Sequence, residues 1–347
     1  MATSLEETPA ALAGPWRRGG RMTRYQLEHE GARLPEGVVD LEAERERRED
    51  HIVRGTAADG MVRAFAITAR ATVEEARARH DTTPVATAAL GRLIMGAQMM
   101  GAMSKNDDEL VTITVMGDGD LGRITVTADN CGHAKGFVQN PRVWLPLNGR
   151  GHLDVGQAVG AGTLSVVHDV AGMDPYSSEV ELVSGEIGDD LTYYFAASDQ
   201  IPTSLGVGVL VDRDMSVRRA GGFVIQLMPG CDEDVVASLE ANLAPVHSVT
   251  DLLEAGMTPT EMLQRLLRGL GYRELDRMPA SFRCGCDRSR AMRAVLALGR
   301  AELGDMVEKN EPAQVHCHFC GADYRFEPAE LADMLADAGA PALEADV

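Results

Sequence analysis

At roughly 150 residues per domain, a chain of 347 residues has room for two or three domains. Hydrophobic residues make up 45% and charged residues 25%, a globular balance that excludes a wholly disordered or fibrous chain. Acidic residues number 53 against 33 Lys and Arg, and the net charge of −20 repels phosphate backbones, so neither nucleic acid nor an anionic membrane is expected as the main partner.

Residues 1–49 begin rich in Ala, Gly and Pro and end in the charge run Glu42 to Glu49, with little to bury; a flexible extension is expected. Arg17, Arg18 and Arg21 have no apolar run beside them, so no secretory signal is read and the cytoplasm is the expected location. From Asp50 the texture alternates between strands and helices. Val62 to Thr68 reads as a strand, and Thr72 with Glu75 reads as the capping box of a short helix. Thr83-Pro84 opens a longer helix. Pro84 to Met103 is interrupted by Arg92, Gln98, Gly91, Gly96 and Gly101, which fits a close-packed core helix and not a membrane span.

Val111 to Met116 and Arg123 to Thr127 are β-branched runs joined by a Gly/Asp-rich turn, the pattern of consecutive antiparallel strands. Further strands are expected at Leu164 to Val167, Val180 to Val183, Val207 to Val211 and Gly222 to Leu227, with a helix near Asp190 to Ala197. The order gives an α+β core over residues 50–231, closing near Pro229-Gly230. Beyond Asp232 the strands are expected to stop. Asp232 to Leu243, Val249 to Glu254 and Thr258 to Leu270 read as helices, forming a linker over residues 232–280. In the last of these Thr258 and Glu261 form a capping box with Pro259 at the first helical position, and Leu263, Leu266, Leu267 and Leu270 make one apolar stripe.

Gly117-Asp118-Gly119-Asp120-Leu121-Gly122 has the form of a dinucleotide fingerprint, but a strand follows it where a helix is required, and two aspartates would face a pyrophosphate; it reads as a hairpin turn. Cys131 and Cys231 stand alone and read as free thiols, Cys131-Gly132-His133 lacks the rest of a cysteine hydrolase, and His168 and His247 receive no role. The informative constellation lies within residues 281–347: Cys284-Gly285-Cys286, 30 intervening residues, then Cys317-His318-Phe319-Cys320. Four thiolates arriving as two close pairs suit one tetrahedral Zn2+, each pair spanning an edge. His316 and His318 are possible substitute ligands, although four cysteines complete a closed shell. On these residues alone an inert structural zinc is the default, and a thioredoxin-like enzyme lacks its βαβ setting because Gly321 and the strand Tyr324-Arg325-Phe326 follow the second cysteine. The 12 acidic and 7 basic side chains of residues 281–347 disfavour nucleic acid here as well.

Ser184-Gly185-Glu186-Ile187, Tyr194, Ser198-Asp199-Gln200-Ile201-Pro202, Leu205-Gly206-Val207, Ala220-Gly221-Gly222, Pro229-Gly230, Phe282-Arg283-Cys284-Gly285-Cys286 and Cys317-His318-Phe319-Cys320 occur in an order that resembles the heat shock protein 33 family of bacterial redox-regulated holdase chaperones. The resemblance runs from Asp50 to about Leu335. Residues 1–49 extend beyond the usual start, Gly188-Asp189 replaces a more typical Ala-Glu, and Lys135-Gly136-Phe137 stands where Arg-Gly-Tyr is common.

The resemblance implies a mixed α/β core, a helical linker packed on it and a C-terminal zinc domain acting as a redox switch. It implies one zinc per chain on Cys284, Cys286, Cys317 and Cys320, with disulfides Cys284 to Cys286 and Cys317 to Cys320 after oxidation. It further implies unfolding proteins as partners, a homodimer in the oxidised state and no enzymatic activity. The alternatives are a constitutive protein-binding module with a purely structural zinc and a thiol oxidoreductase. Structural zinc contributes about 10–16 kcal/mol to small modules, as much as a whole domain's stability of about 5–15 kcal/mol, so losing it would unfold the tail and free the leucine stripe to bind clients.

Overall fold

The computed structural model describes residues 49–106, 108–246 and 248–337. The expected extension, apart from Glu49, and His247 lie outside the described residues. Strands β1 (His51–Ala57) and β2 (Val62–Thr68) form a hairpin, followed by helices α1 (Arg70–His80) and α2 (Pro84–Gly101). Next come β3 (Glu109–Gly117), β4 (Arg123–Asp129), β5 (His133–Val138), α3 (Val155–Val159), β6 (Gly162–Val170), β7 (Tyr176–Glu181), α4 (Gly188–Ala197), β8 (Thr203–Val211) and β9 (Val217–Leu227). The chain continues through α5 (Glu233–Leu243), α6 (Val249–Glu254), α7 (Pro259–Leu266), β10 (Arg273–Pro279), β11 (Ser281–Phe282), α8 (Arg288–Leu296), α9 (Arg300–Glu308), β12 (Ala313–His316), β13 (Asp323–Phe326) and α10 (Pro328–Asp337).

The strands make a five-stranded antiparallel sheet in the order β10-β1-β2-β9-β8, a six-stranded sheet β11-β5-β4-β3-β6-β7 and the hairpin β12-β13. This mixed α+β architecture agrees with the fold class read from the sequence. Helix α2 is buried over nearly its whole length and touches strands of both larger sheets, so the run interrupted by Gly91, Gly96 and Gly101 is the centre of the main core. No helix among the described residues is long and apolar enough to cross a membrane.

The central strands of the five-stranded sheet, β1, β2 and β9, are buried on both faces over most of their length. Phe65, Ile67 and Val224 point to the α2 side, while Val53, Val62, Ala64, Ala66, Phe223 and Ile225 belong to a second core. That second core is completed by Val249, Leu252 and Leu253 of α6 and by Met262, Leu263, Leu266 and Leu267 in and just after α7. The alanines of β2 keep its face shallow enough for the leucines to settle onto it. A third cluster, built on Ala291, Val295, Leu303, Ala313, Phe326 and Leu331, holds the C-terminal elements together.

Four expectations are corrected. The first turn of α1 is not closed by Thr72 and Glu75: helix α1 starts at Arg70, and Asp50 Oδ2 accepts from the Thr72 N–H at 2.6 Å and the Thr72 hydroxyl at 2.8 Å. A carboxylate 22 residues upstream thus does the work assigned to a local cap. The Thr258 helix ends at Leu266, four residues before Leu270, which lies in the turn between Gly269 and Gly271, both with positive φ. Strands do not stop at Asp232, because β10 pairs antiparallel with β1 and β11 pairs parallel with β5. The strand expected at Val180 to Val183 is displaced to Tyr176–Glu181.

The turn after β3 is the hairpin connection expected. A Cβ on Gly117 would lie 1.9 Å from the Val159 carbonyl oxygen and one on Gly119 2.5 Å from that of Ala158, so these glycines admit the backbone of α3 and leave no phosphate cradle.

Candidate metal centre

The first cysteine pair is delivered by an edge strand of the core. Ser281 N–H donates to the Gly132 carbonyl at 3.1 Å and Arg283 N–H to that of Ala134 at 2.7 Å, which fixes the chain up to Cys284. Beyond Cys286, Asp287 caps α8 by accepting from the Arg290 N–H at 2.7 Å, and Arg290 donates to the Gly285 carbonyl at 3.0 Å. The second pair occupies the turn joining β12 to β13. Cys317 N–H donates to the Ala322 carbonyl at 2.8 Å, Gly321 N–H returns to Cys317 at 2.8 Å, and Gly321 adopts φ +70°. The two turns place all four sulfurs within 4.8 Å of one another.

These sulfurs suit a metal. With Zn–S bonds of about 2.3 Å a tetrahedron has edges of about 3.8 Å; Cys284 and Cys317 approach to 3.8 Å and Cys286 and Cys320 to 3.2 Å. Tyr324 Oη donates to Cys286 Sγ at 3.3 Å. Burial pushes the Cys284 and Cys320 thiols up, and hydrogen bonding to Cys286 raises Cys320 further. At Cys286 burial acts in the same upward direction but is outweighed by hydrogen bonds from Tyr324 and the neighbouring thiols, which bring it down to about 7. The same bond to Cys286 holds the Tyr324 phenol up at about 12. A set of sulfurs of this kind is ready to bind a thiophilic cation on losing protons.

His316 Nδ1 is bonded to Asp323 Oδ1 at 2.7 Å, and the His318 ring lies 6.0 Å from that of Phe137; neither joins the sulfur cluster. Phe319, between the second pair of cysteines, packs edge-on against Phe137 at 5.5 Å, and Lys135 Nζ lies 4.7 Å from its ring centre. Its carbonyl accepts from His80 Nε2 at 3.2 Å, while Arg79 donates to the Cys320 carbonyl at 3.5 Å. The cysteine turn is therefore clamped to the C-terminal end of α1 and the outer face of β5. Sequence reading missed Tyr324, Phe319 and this clamp. For Tyr324 a signal existed: it alternates with Phe326 on a strand directly after the second pair.

The leucine stripe is not brought to the sulfurs. Leu263, Leu266 and Leu267 are fully buried in the second core and Leu270 is partly buried beside it. The connection is through the chain: α7, β10, β11 and Cys284 follow one another without a free segment, and Thr260 at the start of α7 is hydrogen bonded to Glu274 of β10 at 2.8 Å. Cys131 is exposed with its thiol on Asn130, and Cys231 is half-buried. His168, given no role, bonds Glu109 at 2.8 Å and stacks on Tyr176.

Comparison with known proteins agrees with this arrangement. The family described as Hsp33 protein matches residues 50–327. A 33 kDa chaperonin of Lachnoclostridium phytofermentans is 45% identical over 286 residues, 82% of this chain and 98% of that one. The 33 kDa chaperonin of Agathobacter rectalis is 47% identical over 285 residues, 82% of this chain and 99% of its own. The crystal structure of the 33 kDa chaperonin, a heat shock protein 33 homolog, from Thermotoga maritima is similar with a TM-score of 0.78 and 36% identity, covering 84% of this chain and 99% of that one.

Proposed function

Because this chain belongs to the heat shock protein 33 family, we propose that it is a redox-regulated, ATP-independent holdase of the cytoplasm that captures unfolding proteins after its thiols are oxidised. The convergence of Cys284, Cys286, Cys317 and Cys320 within 4.8 Å, at the end of a segment that also carries the buried linker, is the observation that supports it. Zinc, when bound, holds the four sulfurs as thiolates, the oxidisable form of cysteine. The proposed division is a core (50–231), a linker (232–280) and a switch (281–347); the third apolar cluster lies wholly within the switch range, while the second joins linker leucines to Val53, Ala64, Phe223 and Ile225 of the core.

In the reduced state the cysteine turns hold Phe319 against Phe137 and Lys135 and keep β11 on the edge of β5. On oxidation Cys284 pairs with Cys286 and Cys317 with Cys320. Sequence neighbours stay within reach when the two turns separate, whereas the approaches of Cys284 to Cys317 and Cys286 to Cys320 require both turns together. Separation removes the clamp, the linker loses its anchor through β11 and β10, and the leucines of α7 and the sheet face beneath them become available to apolar segments of clients. The activity is binding, without turnover of a substrate, and dimerisation accompanies the oxidised state.

Zinc release to a chromogenic chelator and suppression of aggregation of a thermally unfolding client should rise together on treatment with peroxide. Zinc and activity that both ignore peroxide would point to a constitutive binding module, and turnover in an insulin-reduction assay to a thiol oxidoreductase.

A further inference from the structure

Between the end of α1, the start of β4 and the turn joining β12 to β13 lies a groove of about 530 Å³. Arg79, His80, Arg123, His316 and His318 make up half of its lining and no carboxylate lines it, in a chain with 53 acidic residues. Its cationic groups are held in place with donors to spare. Glu75 Oε1 accepts from Arg79 Nε at 2.7 Å, which uses one of the five N–H donors of that guanidinium. Asp323 fixes the His316 ring through Nδ1 at 2.7 Å, and the His80 ring is tied to the Phe319 carbonyl at 3.2 Å. Arg123, exposed at the start of β4, gives its guanidinium to no carboxylate among the described residues. The His318 ring lies 5.3 Å from that of His316 and 6.0 Å from that of Phe137, and a neutral imidazole still offers one N–H.

We propose that this groove binds a small phosphate-bearing anion, held by Arg79 and Arg123 from the core and by His318 from the cysteine turn. Like charges gathered at one groove repel, and an anion with several oxygens relieves the repulsion while accepting hydrogen bonds from more than one side. Guanidinium forks match phosphate oxygens in particular. A long polyanion would meet the field of a chain with a net charge of −20, whereas a small anion meets mainly the groove. The volume falls in the ordinary range of small-molecule sites, and Phe137 and Pro141 give an organic body an apolar wall beside the cations. One side of the groove belongs to the core and the other to the turn, so the anion fits only the arrangement in which the two are docked, and by mass action it stabilises that arrangement. None of this depends on the redox reading.

Calorimetric titration of the reduced, zinc-supplied full chain with inorganic pyrophosphate should give saturable binding of one anion per chain. Arg123→Gln should bind roughly ten- to a hundredfold more weakly, the equivalent of losing a hydrogen bond to a charged group. Arg265→Gln makes the same change of charge at an exposed position of α7 outside the groove, and should match the wild type. His318→Ala should weaken binding roughly three- to tenfold. A second titration with ADP, which carries two phosphoryl groups on an organic body, distinguishes the sources: affinity equal to that of pyrophosphate or higher assigns the groove to phosphorylated small molecules, and affinity more than about tenfold lower assigns it to inorganic phosphates. Absence of binding of both anions up to about 1 mM would overturn the proposal, as would equal affinities of Arg123→Gln and Arg265→Gln. Wild-type affinity in His318→Ala would overturn the part assigned to the cysteine turn.

Discussion

At Asp190 a single fully buried carboxylate accepts four backbone N–H groups, from Val183 at 2.7 Å, Ser184 at 3.0 Å, Gly185 at 3.2 Å and Ile187 at 2.9 Å. It thereby holds Ile187 at φ +67°, a conformation that a β-branched residue adopts only under constraint, and fixes Glu186 on Arg92 at 2.5 Å. The motif Ser184 to Ile187 was plain in the sequence as a mark of family, but its physical reason was not, because the carboxylate that organises it lies outside the motif. Asp190→Asn puts an amide NH2 among donors and should lower stability by about 3 kcal/mol; a thermal shift equivalent to less than about 1 kcal/mol would contradict this role. Glu74 offers a test by pH. The hydrogen bond from Arg77 holds its carboxyl below the ordinary 4.5, burial opposes, and the Val217 N–H at 2.8 Å adds to the lowering. A depressed carboxyl contributes stability above its unfolded value and loses it as pH falls through its folded value. Glu74→Gln should therefore be less stable than wild type by about 1 kcal/mol at pH 7, with the gap in urea midpoint closing below about pH 4.5.

At the scale of elements, the linker helices were legible because apolar periodicity and the Thr258 capping box are local signals, and the box is present as read. Strand β10 was not legible. Arg-Glu-Leu-Asp-Arg-Met-Pro has no apolar alternation, Leu275 is half exposed, and the strand is held by backbone pairing to β1, a non-local contact that periodicity does not register. The shortening of α7 has a similar origin: Leu267 and Leu270 keep their place in the apolar layer through a turn that Gly269 and Gly271 permit. The stripe is core in the reduced protein, and each of its buried leucines is worth about 1.5–3 kcal/mol. Leu263→Ser combined with Leu267→Ser should therefore detach the linker with the zinc still bound, so that the reduced variant suppresses client aggregation. A reduced variant that is zinc-loaded, as inactive as wild type and faster in linker amide exchange would place the client surface elsewhere.

At the scale of the molecule, the order of the chain is the device of the proposed switch: sheet, apolar helices, edge strand and cysteine turns follow one another, and the proposal has an event at sulfur reach the second core along that route. The four cysteines that cluster could be read from spacing, but the clamp of Phe319 on Phe137 and Lys135 joins residues about 180 positions apart and could not. Residues 1–48 precede everything this route uses, and a chain starting at Glu49 keeps Asp50 and its bonds to Thr72. That shortened chain should retain zinc and peroxide-dependent activity, and a large fall in melting temperature would contradict the expectation. The central claim, that oxidation at the cysteines unfastens the linker from the sheet, is tested most directly by amide hydrogen exchange of the full chain before and after peroxide. The account expects protection to be lost across α6, α7 and β10 while β3, β4 and α2 stay protected; chaperone activity appearing with α6 and α7 still protected would contradict it.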